Sequence, residues 1–174
     1  LMAAAITEGV QQHSGCGVTI KHYAANNAET NRYCNNSQVS ERAMREIYLR
    51  GFEICVKKAN PKAVMTSYNL LNGIHTAEHR GLIENILRRE FGFDGIVMTD
   101  WIVDAFSDSR SAYRNSIASE VTKAGGDLFM PGSKKDYENV LEALKNGSLT
   151  RKQLEVNVTR ILRMIDVLNK KKVH

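Results

Sequence analysis

The chain has 174 residues, a net charge of +5, 43% apolar and 25% charged residues. That is enough to bury a core in one domain, and the balance is that of an ordinary soluble globular protein. No apolar run approaches the ~18 residues of a membrane span, and the scattered basic residues form no stripe interleaved with aromatics, which argues against a nucleic-acid partner.

In chain order, "LMAAAI" reads as the middle of a helix, without the basic leader or cleavage flank of a signal peptide. Residues 17–23 ("GVTIKHY") form a first short apolar run that ends in polar letters. Ser40 caps a helix with Glu41 in its first turn, and Met44, Ile47, Tyr48, Phe52 and Cys55 make its apolar stripe. A second run, 63–69 ("AVMTSYN"), leads through the Asn72-Gly73 turn signal to a stripe of Leu82, Ile83, Ile86 and Leu87. The third run, 95–101 ("GIVMTDW"), is aliphatic until it ends in Asp100 and Trp101. Ile117, Val121 and Ala124 form a stripe stopped by Gly125 and Gly126, and the run 126–130 ("GDLFM") follows. Tyr137, Val140, Leu141 and Leu144 mark another helix. Thr150 and Gln153 have capping-box spacing and open a last helix carrying Leu154, Ile161, Leu162, Ile165 and Leu168. It ends at Lys170, Lys171 and Lys172, where cations suit the helix dipole.

Strands alternating with helices predict an α/β protein of parallel βα repeats. About four βα units, each strand ending in polar letters, fit half of a TIM (β/α)8 barrel. The rival is an open doubly wound sheet, but "KHYAANN" after the first strand has no glycine with which to cradle a phosphate. Nothing divides residues 1–174, which read as a single partial barrel domain cut from a longer multidomain enzyme. Cys16, Cys34 and Cys55 are odd in number and far apart, which favours free thiols and a reducing, cytoplasmic compartment over a disulfide scaffold or zinc site.

Parallel strands place their carboxyl ends on one rim, where ligands bind. The first strand brings Lys21 and His22, with Asn26, Asn27, Glu29, Asn31 and Arg32 beyond; the second brings Met65, Ser67, Tyr68 and Asn69; the third brings Asp100 and Trp101. Donors around a carboxylate, beside an indole, suit a sugar: the donors meet hydroxyls, the indole stacks on the ring, and the acid attacks or stabilises an oxocarbenium-like centre. Neighbouring cations favour the ionised carboxylate that a nucleophile requires. Singly, each residue has a plainer use: Asp100 as a helix cap or an Arg32 partner, Lys21 and His22 as a solvated strand end, Trp101, Tyr68 and Met65 as packing. Only their joint placement favours chemistry.

"KHYAANNAETNR", "SERAMREIYLRGFE", "AVMTSYNLLNG", "ILRREFGFDGIVMTDW" and "GGDLFMPG" resemble successive blocks of the glycoside hydrolase family 3 barrel, in its β-glucosidase branch. The resemblance implies a retaining glycosidase that releases terminal β-D-glucosyl or related residues. It makes Asp100 the nucleophile, Lys21, His22 and Arg32 the ligands of sugar hydroxyls, Met65 and Tyr68 the lining beside the nucleophile, and Trp101 the flank of the next subsite. Val103 departs from the small or polar residue usual in the family. The N-acetylglucosaminidase branch has a "KHFPGHG"-like loop, and "AANNAETNR" is unlike it. No cofactor or metal is implied. The family's upstream sugar-gripping aspartate and arginine are missing, as is the acid/base, which usually comes from the domain after the barrel. Within the chain only Glu29, Glu78 and Asp104 compete for the acid/base role. The isolated chain is therefore expected to be inactive, with carbohydrate as substrate and either the missing parts of the enzyme or a second copy as partner at its open edges. The alternative is a catalytically incomplete structural or assembly fragment. More remotely, "HTAEH" matches the H-x-x-E-H pattern of an inverted zinc-protease site through His75, Glu78 and His79, although a turn at Asn72-Gly73 and a cap at Thr76 would leave His75 outside the helix.

Overall fold

The structure is a computed structural model that describes residues 1–104 and 112–170. Lys171 and Lys172 of the terminal basic cluster lie outside the described residues. Among the described residues no helix is long and apolar enough to cross a membrane.

Four strands form one parallel sheet: β1 (Thr19–Tyr23), β2 (Ala63–Thr66), β3 (Ile96–Trp101) and β4 (Leu128–Met130). Thr19 lies opposite Ala63, Ala63 opposite Ile96, and Met98 opposite Leu128, so spatial order equals chain order. That order decides between the two architectures. A doubly wound sheet reverses direction at a switch point, whereas unidirectional right-handed crossovers keep every helix on one face, as in a barrel. The chain is a partial (β/α)8 barrel. β2 and β3 are buried almost throughout, as strands covered on both faces must be.

The helices are α1 (Met2–Gln11), α2 (in three consecutive stretches, Glu41–Ala43, Met44–Tyr48 and Arg50–Ala59), α3 (Gly81–Glu90), α4 (Ala118–Ala124), α5 (Lys134–Lys145) and α6 (Arg151–Lys170). Ser40 caps α2 by accepting from Ala43 N, and Thr150 with Gln153 forms the expected reciprocal capping box. The stripe on α3 is wholly inside: Leu82, Ile83, Ile86 and Leu87 are all buried.

Three predicted stripes are corrected; on α5, Tyr137 is 64% exposed and the inward face carries Ala143 instead. On α2, Ile47 is 69% exposed while Leu49 is fully buried. The wide turn closed by Leu49 N to Met44 O adds a residue to the turn, which rotates the inward face past Ile47. On α6, Leu162 and Ile165 are exposed, whereas Asn157 is buried and its amide donates to the carbonyls of Thr122 and Gly126. Helix α6 is therefore docked by polar bonds more than by its apolar stripe.

Those bonds belong to a charged cluster at the amino ends of the strands. Asp127, whose side chain is fully buried, accepts from Val97 N at 2.8 Å, Arg88 Nη2 at 2.6 Å and Arg160 Nη1 at 3.2 Å. Arg160 also donates to Glu84 at 2.9 Å, and Arg88 Nη1 donates to Gly95 O at 2.8 Å. One carboxylate thus ties β3, β4, α3 and α6 together. Burial pushes the Asp127 carboxyl up, and the Arg88 guanidinium pulls it back. Gly125 ends α4 at φ +96°, and a Cβ there would come within 2.2 Å of Glu84 Oε1, so both backbone and space require glycine.

Removing one member of a buried ion pair strands its partner, at a cost of about 3–5 kcal/mol. Asp127→Ala should destabilise the chain by that order, and Asp127→Asn, which retains an acceptor for Val97 N, by less. Denaturant unfolding of the two variants checks the ordering.

Candidate active site

Asp100 is the penultimate residue of β3, is 5% exposed, and faces the rim. Its Oδ1 accepts from Trp101 N at 2.7 Å, and its Oδ2 lies 3.3 Å from His22 Nε2. His22 stands at the end of β1, where pairing with β2 shifts register between Ile20 and Tyr23. The plainer uses of Asp100 fail here. It caps no helix, because its backbone donor is the next residue in its own strand. Nor does it pair with Arg32, whose guanidinium binds Glu29 Oε2 at 2.8 Å.

Tyr68 follows β2, and its hydroxyl donates to Trp101 O at 2.9 Å. Burial, and then repulsion of a phenolate by the Asp100 carboxylate, push the Tyr68 hydroxyl up to about 12. It therefore remains a neutral donor beside the acid. Arg32 stacks on this ring with Cζ 4.6 Å from its centroid, and stands 5.0 Å from that of Tyr33. The two tyrosine rings meet edge to face at 4.6 Å. Arg32 Nη2 donates to Tyr33 Oη at 3.0 Å, and Glu29 is fixed in turn by Asn26 Nδ2 at 3.0 Å. Glu29, Arg32, Tyr33 and Tyr68 thus form a wall leading to Asp100.

Trp101 is 54% exposed, which rules out a core role for its indole. Met65 is buried on β2. Lys21 is solvent-exposed beside His22, whose ring is the one that reaches the carboxylate. A second layer, in which Asn36–Ser37 pairs with Leu70–Leu71 and that strand with Ile74–His75, frames the rim. Its hairpin turns at Asn72 and Gly73, both at positive φ, as the Asn-Gly signal requires. Ser67 and Thr76 lock this layer to β2 through buried hydroxyls 3.1 Å apart. Sequence reading missed Tyr33 and the locking role of Thr76; the signal for Tyr33 was its adjacency to Arg32.

The zinc-protease geometry is not formed. His75 Nε2 lies 2.7 Å from Arg114 O, Glu78 is paired with Arg114, and His79 Nδ1 accepts from Leu82 N at 3.1 Å. The three residues sit on a strand, a 3₁₀ turn and its end, so they share no helix face. Among the described residues no group of three or more His, Cys, Asp or Glu side chains could hold a metal. Cys16, Cys34 and Cys55 are free.

The Tyr68–Asp100 coupling has an observable consequence. In alkaline titration followed by tyrosine absorbance, Tyr68→Phe should remove a component ionising at about 12. Asp100→Asn should move that component to lower pH, because a neutral amide does not repel the phenolate. An unmoved component would separate the two groups electrostatically.

Comparison with known proteins bears on this geometry. The glycosyl hydrolase family 3 N terminal domain matches residues 1–164. A β-glucosidase from Ruminococcus albus is 44% identical over 164 residues, covering 92% of this chain and 17% of the relative. An exo-alpha-(1->6)-L-arabinopyranosidase from Bifidobacterium longum is also 44% identical, covering 97% of this chain and 20% of the relative. The solved structure of β-glucosidase 3B from Thermotoga neapolitana in complex with glucose superposes with a TM-score of 0.84 at 44% identity, covering 94% of this chain and 22% of that one. The chain thus spans about a fifth of the length of these proteins. With a matching family domain over nearly all its residues, the chain belongs to glycosyl hydrolase family 3.

Proposed function

We propose that this chain supplies the nucleophile half of a retaining β-glycosidase site acting on terminal β-D-glucosyl residues. One observation carries the reading: a buried carboxylate at a barrel-strand end, held by His22 on one oxygen and a backbone N–H on the other, beside an exposed indole. In this mechanism Asp100 attacks the anomeric carbon as the glycosidic oxygen leaves with a proton from a general acid, and water then hydrolyses the glycosyl ester. Lys21, His22 and Arg32 hold sugar hydroxyls, Met65 and Tyr68 line the ring, and Trp101 flanks the leaving group. The neutral Tyr68 hydroxyl brings no charge of its own beside the carboxylate that must attack.

A retaining site needs its second carboxyl group about 5–5.5 Å from the first. Glu29 and Glu78 are engaged by Arg32 and Arg114, which supports an acid/base donated from outside this chain. On that reading the chain alone is catalytically incomplete, a structural fragment until it is joined. β1 and β4 each have a single strand partner among the described residues, so its partners are the remaining parts of the enzyme or a second copy at those edges. The Bifidobacterium longum relative favours a second reading, a pentopyranoside in place of the glucoside.

Three outcomes are expected. In the enzyme that contains this chain, Asp100→Asn should lower kcat by several powers of ten, each about 1.4 kcal/mol of barrier. A 2-deoxy-2-fluoro glucoside should leave its label on Asp100, and a label on another carboxylate would end the assignment. Finally, the 174-residue chain alone should leave p-nitrophenyl β-glucoside and α-L-arabinopyranoside uncleaved. Adding the remaining segments should restore cleavage and rank the two sugars.

A further inference from the structure

His75 and Glu78 are left without a role by the glycosidase reading, yet their bonds converge on one place. The chain leaves β3 at Trp101 and returns to the barrel through residues 112–117 on its way to α4. His75 Nε2 is 2.7 Å from the carbonyl of Arg114. Glu78 takes Arg114 Nη1 at 2.8 Å and Nη2 at 2.7 Å, and Oε1 also accepts from Ile117 N at 2.8 Å. Asn36, at the end of the loop beyond β1, donates to Tyr113 Oη at 2.8 Å. These tethers grip the returning limb from two other strand-end loops. A further bond passes the constraint back: Asn115 Nδ2 donates to Asp104 O at 2.7 Å, only a turn of chain from Trp101. The indole itself has little packing to hold it, being 54% exposed.

We infer that His75 and Glu78 are positioning residues that pin the return limb of the nucleophile loop and, through Asn115 and Asp104, fix the Trp101 platform that meets the leaving group. Burial shows which partner is the anchor. The Glu78 side chain is 8% exposed and that of Arg114 is 54% exposed, so the carboxylate is the fixed point and the guanidinium the arm clipped to it. The bidentate fork sets orientation as well as distance. Ile117 heads α4 without a side-chain cap of its own; by accepting from Ile117 N, Glu78 fixes the limb at the point where it enters the helix. Charge and shape are thus used to aim the loop, and selectivity for the leaving group is the property it would control. That last step rests on the proposed roles of Asp100 and Trp101; the clamp does not.

Trp101 is the single tryptophan of the chain, so its fluorescence reports on the platform directly. In Glu78→Gln and His75→Ala the acrylamide quenching constant should rise about twofold, as for a segment released to local opening, with far-ultraviolet circular dichroism unchanged. His75→Gln, which keeps an N–H donor, should quench like the parent. Should Glu78→Gln fail to fold, Asn115→Ala breaks the same relay at its last bond and should give the same rise. Parental quenching in folded Glu78→Gln or Asn115→Ala would overturn the clamp. In the enzyme containing this chain, the clamp variants should lose about tenfold in kcat/KM for substrates with bulky leaving groups, the scale of a misplaced remote contact. Hydrolysis of the fluoroglucosyl-enzyme by water, which has no leaving group to place, should stay parental; equal loss in both steps would overturn the selectivity role. If the label falls elsewhere than Asp100, the glycosidase reading fails while the fluorescence result still judges the clamp.

Discussion

Four parallel strands bonded in chain order must all end on the same side of the sheet, and the placement of the functional side chains depends on that constraint. Register makes it quantitative. Met65 lies opposite Met98, β1 and β2 end together at Tyr23 opposite Thr66, and β3 and β4 run past them to end together at Trp101 opposite Met130. His22, Tyr68 and Asp100 come from three such ends. They meet although 46 residues of chain separate His22 from Tyr68 and 32 more separate Tyr68 from Asp100. A one-residue slip of β3 would turn Asp100 to the opposite face and bring Thr99 into its place. The slip is opposed at both ends of the strand: Asp127 holds Val97 N at one, and Ile102 N donates to Met130 O at the other.

The two rims divide the labour. At the amino ends, Arg88, Glu84, Arg160 and Asp127 pair with one another and with the backbone, and nearly all of their charge is withdrawn from solvent. Such a cluster fixes geometry because each partner is costly to strand. At the carboxyl ends the polar groups are half open: His22 is 35% exposed, and Arg32 is held by a tyrosine stack and an exposed glutamate. That rim offers hydrogen-bonding capacity that a polyhydroxylated ligand can take up. Separation of the closed cluster from the open one lets binding groups stay incompletely satisfied without loosening the fold.

What could be read in the sequence followed local rules. The caps at Ser40 and Thr150, the Asn72-Gly73 turn and the buried stripe of α3 depend on residues near one another in the chain and are formed. The second strand, by contrast, stops at Thr66, short of Asn69, and Thr76 caps no helix because its hydroxyl donates to Ser67 O. The identity of the rim residues was legible because strand periodicity fixes where a strand ends. Ile47 was misplaced because the wide turn at Met44–Tyr48 adds a residue to the helical repeat, and no composition cue marks it. Leu162 and Ile165 were misplaced for another reason. An apolar stripe predicts burial against something, and among the described residues α6 docks instead through Asn157 and Arg160. The Glu78–Arg114 fork spans 36 residues and joins two loops, a pairing that neither periodicity nor propensity encodes.

The "HTAEH" stretch shows why geometry must arbitrate between readings of one motif. The H-x-x-E-H site needs one helix to present both histidines, since i and i+4 lie on the same face of a helix. Here the backbone is extended at His75, turns through Thr76–Glu78, and leaves His79 aimed at the head of α3. Each residue meets its hydrogen-bonding need with protein groups already in place: the Arg114 carbonyl for His75, a guanidinium and a backbone N–H for Glu78, and Leu82 N for His79. Drawing Glu78 toward a metal would strand Arg114 and Ile117 N together and release the limb that follows β3. Glu78 is thus committed to the Arg114 guanidinium and the Ile117 N–H.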